Sequence, residues 1–200
     1  CSMGPCRLNS KDPYAKVGVC GATIDTIQAR NFGRMVACGG AAHTDHGMSM
    51  LDLFREVVNG HIKDYQIKDT TKLEEVAKEL GIEVEGREMK EIAMDLYKEL
   101  ERTYTQVEGE IPFAKRVPPK TLETWRKHGV VPRGAMRELM ELMHRTHMGV
   151  DQDYENLTKQ LSRTALSDGW GGSMVATEIS DILFGTPTPV RTEVNMGCLK

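Results

Sequence analysis

The sequence has no stretch approaching the ~18 apolar residues that a membrane-spanning helix needs, and no charged start leading into an apolar segment that would direct secretion. Basic residues are not in excess. With 26 Lys and Arg against 29 Asp and Glu the net charge is -3, which excludes nucleic acid as the expected main partner. Aromatics are scarce, at 4 Phe, 2 Trp and 5 Tyr, so the core cannot rest chiefly on rings. The 12 Met suit helix interfaces filled by flexible, polarizable side chains. Cysteines number 5, and three of them fall within the first twenty positions, a poor fit to a secreted disulfide framework. No CxxC or CxxH element occurs, so the usual zinc signature is missing too. No internal repeat and no low-complexity tract interrupts the chain. What remains is the composition of a cytoplasmic globular protein whose 200 residues can bury a sizeable core without staples. The chain opens on Cys1, not Met, as a fragment of a longer protein would.

Hydropathy patterning predicts a mainly α architecture in three parts: a cysteine-rich loop over 1–22, a multi-helix domain over 23–185, and a leading strand of a truncated α/β domain over 186–200. The opening CSMGPCRLNSKDPYAKVGVCGA is rich in Gly, Pro, Ser and Asn and has neither helical nor strand period. Something other than apolar burial must hold it. From Thr23 onward apolar residues recur at helical spacing, and a long helix is expected from about Arg34 to Asn59, ended by Gly60. Gly39 and Gly40 would admit another backbone closely. Thr70 can cap a second helix that Gly81 stops, and Glu88 to Tyr104 carries a third apolar face. The prolines of 109–119 forbid regular helix. Beyond them come a short helix over Thr121–His128, one with Pro132 in its first turn and Met136, Leu139, Met140 and Met143 on its packing face, one from Asp151, and a last from Gly172 to Phe184. VRTEVNMGCLK then alternates like a strand.

Cys1-x4-Cys6-x13-Cys20 is the arrangement that carries chemistry. Thiolates converging from an irregular, glycine-flanked loop are what an iron-sulfur cluster asks for, since the cluster needs sulfur ligands and close amide donors. Three ligands are one short of four; a fourth would lie upstream, or Cys38 would reach back. The alternatives are zinc and three inert thiols. His43 and His46 stand i, i+3, so a helix would put both on one face, with Asp45 between them available to orient a ring or a water. His144 and His147 repeat that spacing but sit among methionines and read as packing residues, while His61 and His128 read as helix-end caps. DGWGGS lacks the Lys and the preceding strand of a phosphate loop and reads as close packing around Trp170.

GPCR, VGVCGA, ARNFGRMVACGGAAHTDHG, MHRTHMGVDQDYENL and DGWGGSMVATEISDILFGTPTPV, in this order, resemble anaerobic nickel-iron carbon monoxide dehydrogenases of the hybrid-cluster protein superfamily. The resemblance runs from Cys1 to about Met196. It implies that Cys1, Cys6 and Cys20 are the second, third and fourth cysteines of a CxxC-x4-C-x13-C run holding a cubane 4Fe-4S cluster, the first ligand falling upstream. It implies the N-terminal, electron-transfer portion of an enzyme that oxidises CO with water to CO2, two protons and two electrons. The nickel-iron-sulfur active site and two α/β domains would lie beyond Lys200. Further implications are a homodimer, a ferredoxin-like acceptor, and acetyl-CoA synthase as a further partner. His43 and His46 match the first two members of the family's proton-carrying histidine row, but the next two positions hold Ser49 and Asp52. Cys38 and Cys198 match no ligand and read as small buried residues. A hydroxylamine reductase-like hybrid-cluster protein and a stand-alone metal-binding module are the alternatives.

Overall fold

The computed structural model describes residues 1–188. Among these every regular element is helical: α1 (Ile24–Val58), α2 (Thr70–Leu80), α3 (Met89–Thr105), α4 (Pro119–His128), α5 (Ala135–Arg145), α6 (Tyr154–Ser167) and α7 (Met174–Phe184). A 3₁₀ turn occupies Pro112–Arg116, and a π turn at Asp168–Ser173 joins α6 to α7. The mainly α expectation holds. The strand expected over 190–200, with Cys198, lies outside the described residues.

α1 organises everything else. It starts ten residues before the expected Arg34, because Thr23 has extended backbone and its hydroxyl accepts from the Thr26 amide at 3.3 Å, a side-chain cap that the small-residue pattern conceals. The Thr26 hydroxyl in turn donates to the Gln152 carbonyl at 2.7 Å, tying the helix start to the segment before α6. The buried stripe of α1 runs Ile27, Arg30, Gly33, Ala37, Gly40, Thr44, Gly47, Leu51, Phe54 and Val58, in steps of three and four. From Gly33 to Gly47 the stripe is small, so neighbours come close: a Cβ on Gly40 would lie 3.2 Å from Leu139 Cδ2, and one on Gly47 would lie 2.6 Å from the Gly172 carbonyl. Gly39, beside it, faces open space. Cys38 is exposed, not buried as expected, because it sits one residue outside the stripe, next to buried Ala37.

At the carboxyl end of α1 the stripe turns apolar. Leu51, Phe54 and Val58 join Leu73, Val76 and Leu80 of α2, Ile92, Leu96 and Leu100 of α3, and Val175, Ile179, Ile182 and Leu183 of α7 in one core. Asp69, not Thr70, caps α2, accepting from the Lys72 amide at 2.8 Å. Buried Glu178 of α7 clips this half together, accepting from Arg116 at 2.6 Å and facing Lys72 at 3.0 Å.

The other half, around α5 and α6, has a polar centre. α5 begins at Ala135, leaving Pro132 outside it with its carbonyl accepting from the Ile111 amide at 2.9 Å. Its buried face is Ala135, Glu138 and Leu142; of the expected packing face Leu139 meets Gly40 of α1, whereas Met136, Met140 and Met143 are exposed. The reason is Glu138. Fully buried, it accepts from Arg133 Nε and Nη2 at 2.8 Å each, from the Arg133 amide at 2.9 Å and from Gln160 at 2.9 Å, so every lone pair has a donor. Glu141, one turn on, accepts from Arg133 at 2.6 Å and Arg145 at 2.7 Å. A charge-coded interior looks like a solvated face when read from hydropathy alone.

Candidate metal centre

Residues 1–23 contain turns and no helix. Cys1 and Cys6 close a turn in which the Cys1 carbonyl accepts from the amides of Gly4 at 3.3 Å and Cys6 at 2.9 Å. A second turn carries Cys20: the Gly18 carbonyl accepts from Gly21 at 2.8 Å, the Gly18 amide donates to Ala22 at 2.8 Å, and Gly21 takes φ 83°, where a side chain would be strained. The two turns meet. Gly18 is buried, and a Cβ added to it would stand 3.7 Å from Cys6 Sγ. Ser2 fastens the first turn to α1, its amide donating to Asn31 Oδ1 at 3.2 Å.

All three cysteines are free and half-buried. Cys20 is the most elaborately held. Its carbonyl accepts from Gln152 Nε2 at 2.7 Å and its sulfur from Arg30 Nη1 at 3.5 Å. The Arg30 hydrogen bond above all, followed by the Ala22 amide and working against burial, brings its thiol down to about 7, so the thiolate form is within reach at neutral pH. No carboxylate or imidazole hydrogen-bonds to any of the three sulfurs among the described residues, nor do three Cys, His, Asp or Glu side chains crowd onto one point as a single bound ion would require. Three free thiols on two turns that meet, with backbone amides near and no carboxylate bonded to them among the described residues, are soft donors of the type an iron-sulfur cluster takes.

His43 and His46 lie on α1, both exposed. His43 Nδ1 stands 2.8 Å from Asp168 Oδ1. Asp45, the expected orienting carboxylate, is exposed and makes no such bond. Asp168 opens the π turn, whose buried Gly172 lies so close to α1 that a Cβ there would be 3.0 Å from the His43 carbonyl. A widened helical turn pressed on a glycine-lined helix is therefore what delivers the carboxylate. DGWGGS is a packing element, as expected, but it also carries this contact; Trp170 stacks edge-on with Trp125 of α4, centroids 5.8 Å apart. His46 hydrogen-bonds to nothing among the described residues, and beyond it Ser49 and Asp52 are exposed, Asp52 pairing with Arg55 at 3.2 Å. His144 and His147 are exposed rather than packed. Sequence reasoning missed Arg30, Gln152 and Asp168; of these Arg30 alone left a signal, a charged residue in register with the buried stripe of α1.

Known proteins resemble this chain along its whole length. The model of the Prismane/CO dehydrogenase family matches residues 1–200. Carbon monoxide dehydrogenase 1 of Methanosarcina mazei is 47% identical over 199 residues, a span covering 100% of this chain and 32% of that protein. The nickel-free, as-isolated crystal structure of carbon monoxide dehydrogenase from Thermococcus sp. AM4 superposes with a TM-score of 0.90 at 45% identity, over 95% of this chain and 30% of that one. An acetyl-CoA synthase/carbon monoxide dehydrogenase, described with NiZn[Fe4S4] and NiNi[Fe4S4] clusters in its alpha subunits, superposes with a TM-score of 0.90 at 40% identity, over 95% of this chain and 28% of that one. The chain thus spans about a third of the length of the curated relatives it matches. Matched along its whole length and superposed on solved relatives across nearly all of it, the chain belongs to the Prismane/CO dehydrogenase family.

Proposed function

We propose that this chain is the electron-transfer portion of an anaerobic carbon monoxide dehydrogenase, a cytoplasmic homodimer that oxidises CO with water to CO2, two protons and two electrons and passes the electrons to a ferredoxin-type acceptor. Cys1, Cys6 and Cys20 hold a cubane 4Fe-4S cluster whose fourth thiolate comes from outside the chain. The ligands of the nickel-iron-sulfur active site also lie outside it, and acetyl-CoA synthase is a further partner of the whole enzyme, in keeping with the relative of that name. When bound, the cluster supplies one-electron storage and transfer. This chain's own residues do the rest. Arg30 and the neighbouring amides favour the thiolate of Cys20. Gly18 packs beside Cys6, and Ser2 ties the Cys1 turn to α1.

His43 serves as the first proton carrier. With Nδ1–H donating to Asp168, the ring presents Nε2 as the atom that accepts a proton and later gives it up. His46 stands one turn along the exposed side of α1 and continues the path, which Ser49 and Asp52 extend by way of water.

The observation that carries the reading is the pair of meeting turns with three free thiols and no carboxylate or imidazole bonded to them among the described residues. Its test is metal analysis of the full-length protein prepared without oxygen, beside CO-dependent dye reduction. Cys20→Ser is expected to lose one cubane's share of iron and sulfide and at least ~100-fold in dye reduction, with nickel retained. Unchanged iron and sulfide in that variant would overturn the assignment.

A further inference from the structure

Arg30 is the largest fully buried side chain of the chain's described residues, set on the inward stripe of α1. Its acceptors are two: Nη1 donates to Cys20 Sγ at 3.5 Å and Nη2 donates to the Asp151 carbonyl. Nε has no partner among the described residues. The carboxylate of Asp151 itself is taken, since Oδ2 accepts from Arg145 at 3.1 Å and Oδ1 from the Asp153 amide at 3.0 Å. A guanidinium cannot shed its proton in a protein, and a buried ion without a counter-charge is strongly disfavoured. The contrast with Arg133, whose charge is met by two carboxylates, is plain. Something negative must therefore face Arg30, and the one side-chain acceptor to which it donates among the described residues is a cysteine sulfur.

We infer that Arg30 is the built-in counter-charge of the anionic cluster held by Cys1, Cys6 and Cys20, and that its hydrogen bond to Cys20 Sγ raises the reduction potential of that cluster. The inference rests on the cluster reading above. A cubane with thiolate ligands carries net negative charge and becomes more negative when it takes up one electron; at Arg30 no bond forms and no proton moves. A fixed positive charge and a donor on a ligand sulfur stabilise the reduced form more than the oxidised one, and burial keeps that effect unscreened by salt. Arg30 is thus a positioning and tuning residue, distinct from the ligands. A purely structural role, tying the Cys20 turn to residue 151, would leave the potential where it was.

The test uses the full-length enzyme, prepared anaerobically, as wild type, Arg30→Gln and Arg30→Lys, with the relevant cluster identified as the paramagnetic signal that Cys20→Ser abolishes. Redox titration followed by electron paramagnetic resonance reads the midpoint. In Arg30→Gln the ratio of reduced to oxidised cluster at the wild-type midpoint should fall about tenfold, equivalent to about 59 mV for a one-electron couple, and Arg30→Lys should recover most of it. Loss of the cluster in Arg30→Gln with retention in Arg30→Lys would also support the counter-charge role, because charge is what the two cations share. An unmoved or raised midpoint in Arg30→Gln, or loss of the cluster from both variants, overturns it. If wild type has no signal that Cys20→Ser removes, the cluster reading itself fails and the inference goes with it.

Discussion

His43 takes its carboxylate partner from a residue 125 positions further along the chain, at 2.8 Å, and not from nearby Asp45. A general acid or base contributes typically about 10²–10⁴-fold, and a carboxylate that orients a working imidazole about 10–100-fold. His43→Ala in the full-length enzyme should therefore lower CO-dependent dye reduction at least ~100-fold, and Asp168→Asn about tenfold, with iron and nickel contents intact in both. Unchanged turnover in His43→Ala would remove the proton-carrying role. The candidate thiols and histidines were legible from spacing and resemblance because each residue announces its own chemistry. Asp168 was not, since an aspartate in a Gly-rich stretch has many uses and only the fold says which imidazole it meets. Arg30 was half legible. Its place in the register Ile27, Arg30, Gly33, Ala37 marks it as buried, but its sulfur acceptor lies on another segment.

Among the elements, α1 shows how far a pattern reaches. Its existence and its end at Asn59–Gly60 follow from apolar spacing and a positive-φ glycine, yet its start depends on one hydroxyl, that of Thr23. Glycines within it divide by what they face. Gly39→Ala, into open space, should stabilise the protein by about 0.5–1 kcal/mol through helix propensity alone. Gly47→Ala should do the opposite, by about 1–3 kcal/mol, because the new methyl meets the Gly172 carbonyl and the Tyr104 hydroxyl and must push the π turn away. Denaturant unfolding midpoints check both, and equal effects at the two sites would contradict the close approach. The same displacement should weaken His43–Asp168 and lower turnover in Gly47→Ala. α5 marks the limit of patterning: its methionines resemble a packing face, but Glu138, bonded on every side, is the residue that goes inward.

At the scale of the whole molecule, stability is tied to acid through the carboxylates at its centre. Burial alone would raise the Glu141 carboxyl, but hydrogen bonds from Arg133 and then Arg145 outweigh it and hold the group at about 2; Glu138 is lowered against the same burial by Arg133 and Gln160. An unfolded Glu titrates near ~4.3. Because the folded value lies below the unfolded one, the contribution is complete above about pH 4.3 and is lost as pH falls toward 2, by roughly 3 kcal/mol for Glu141. Denaturant midpoints recorded from pH 7 down should fall in that window, and Glu141→Gln should lower stability at pH 7 while flattening the fall; a flat wild-type profile between pH 4.3 and 2 would contradict it. The outward sides of the molecule carry Phe32, Met35, Met140 and Met148 in the open, on a chain about a third as long as its relatives. By itself the sequence determined the helical class, the places where helices end, and which side chains could bind metal or carry a proton, because propensity, capping and functional-group chemistry are properties of residues and their near neighbours. Tertiary structure alone decided which carboxylate meets His43, which cation meets Cys20, and which face of α5 is buried, because those depend on where distant segments come to rest and on burial that strengthens every charge it encloses.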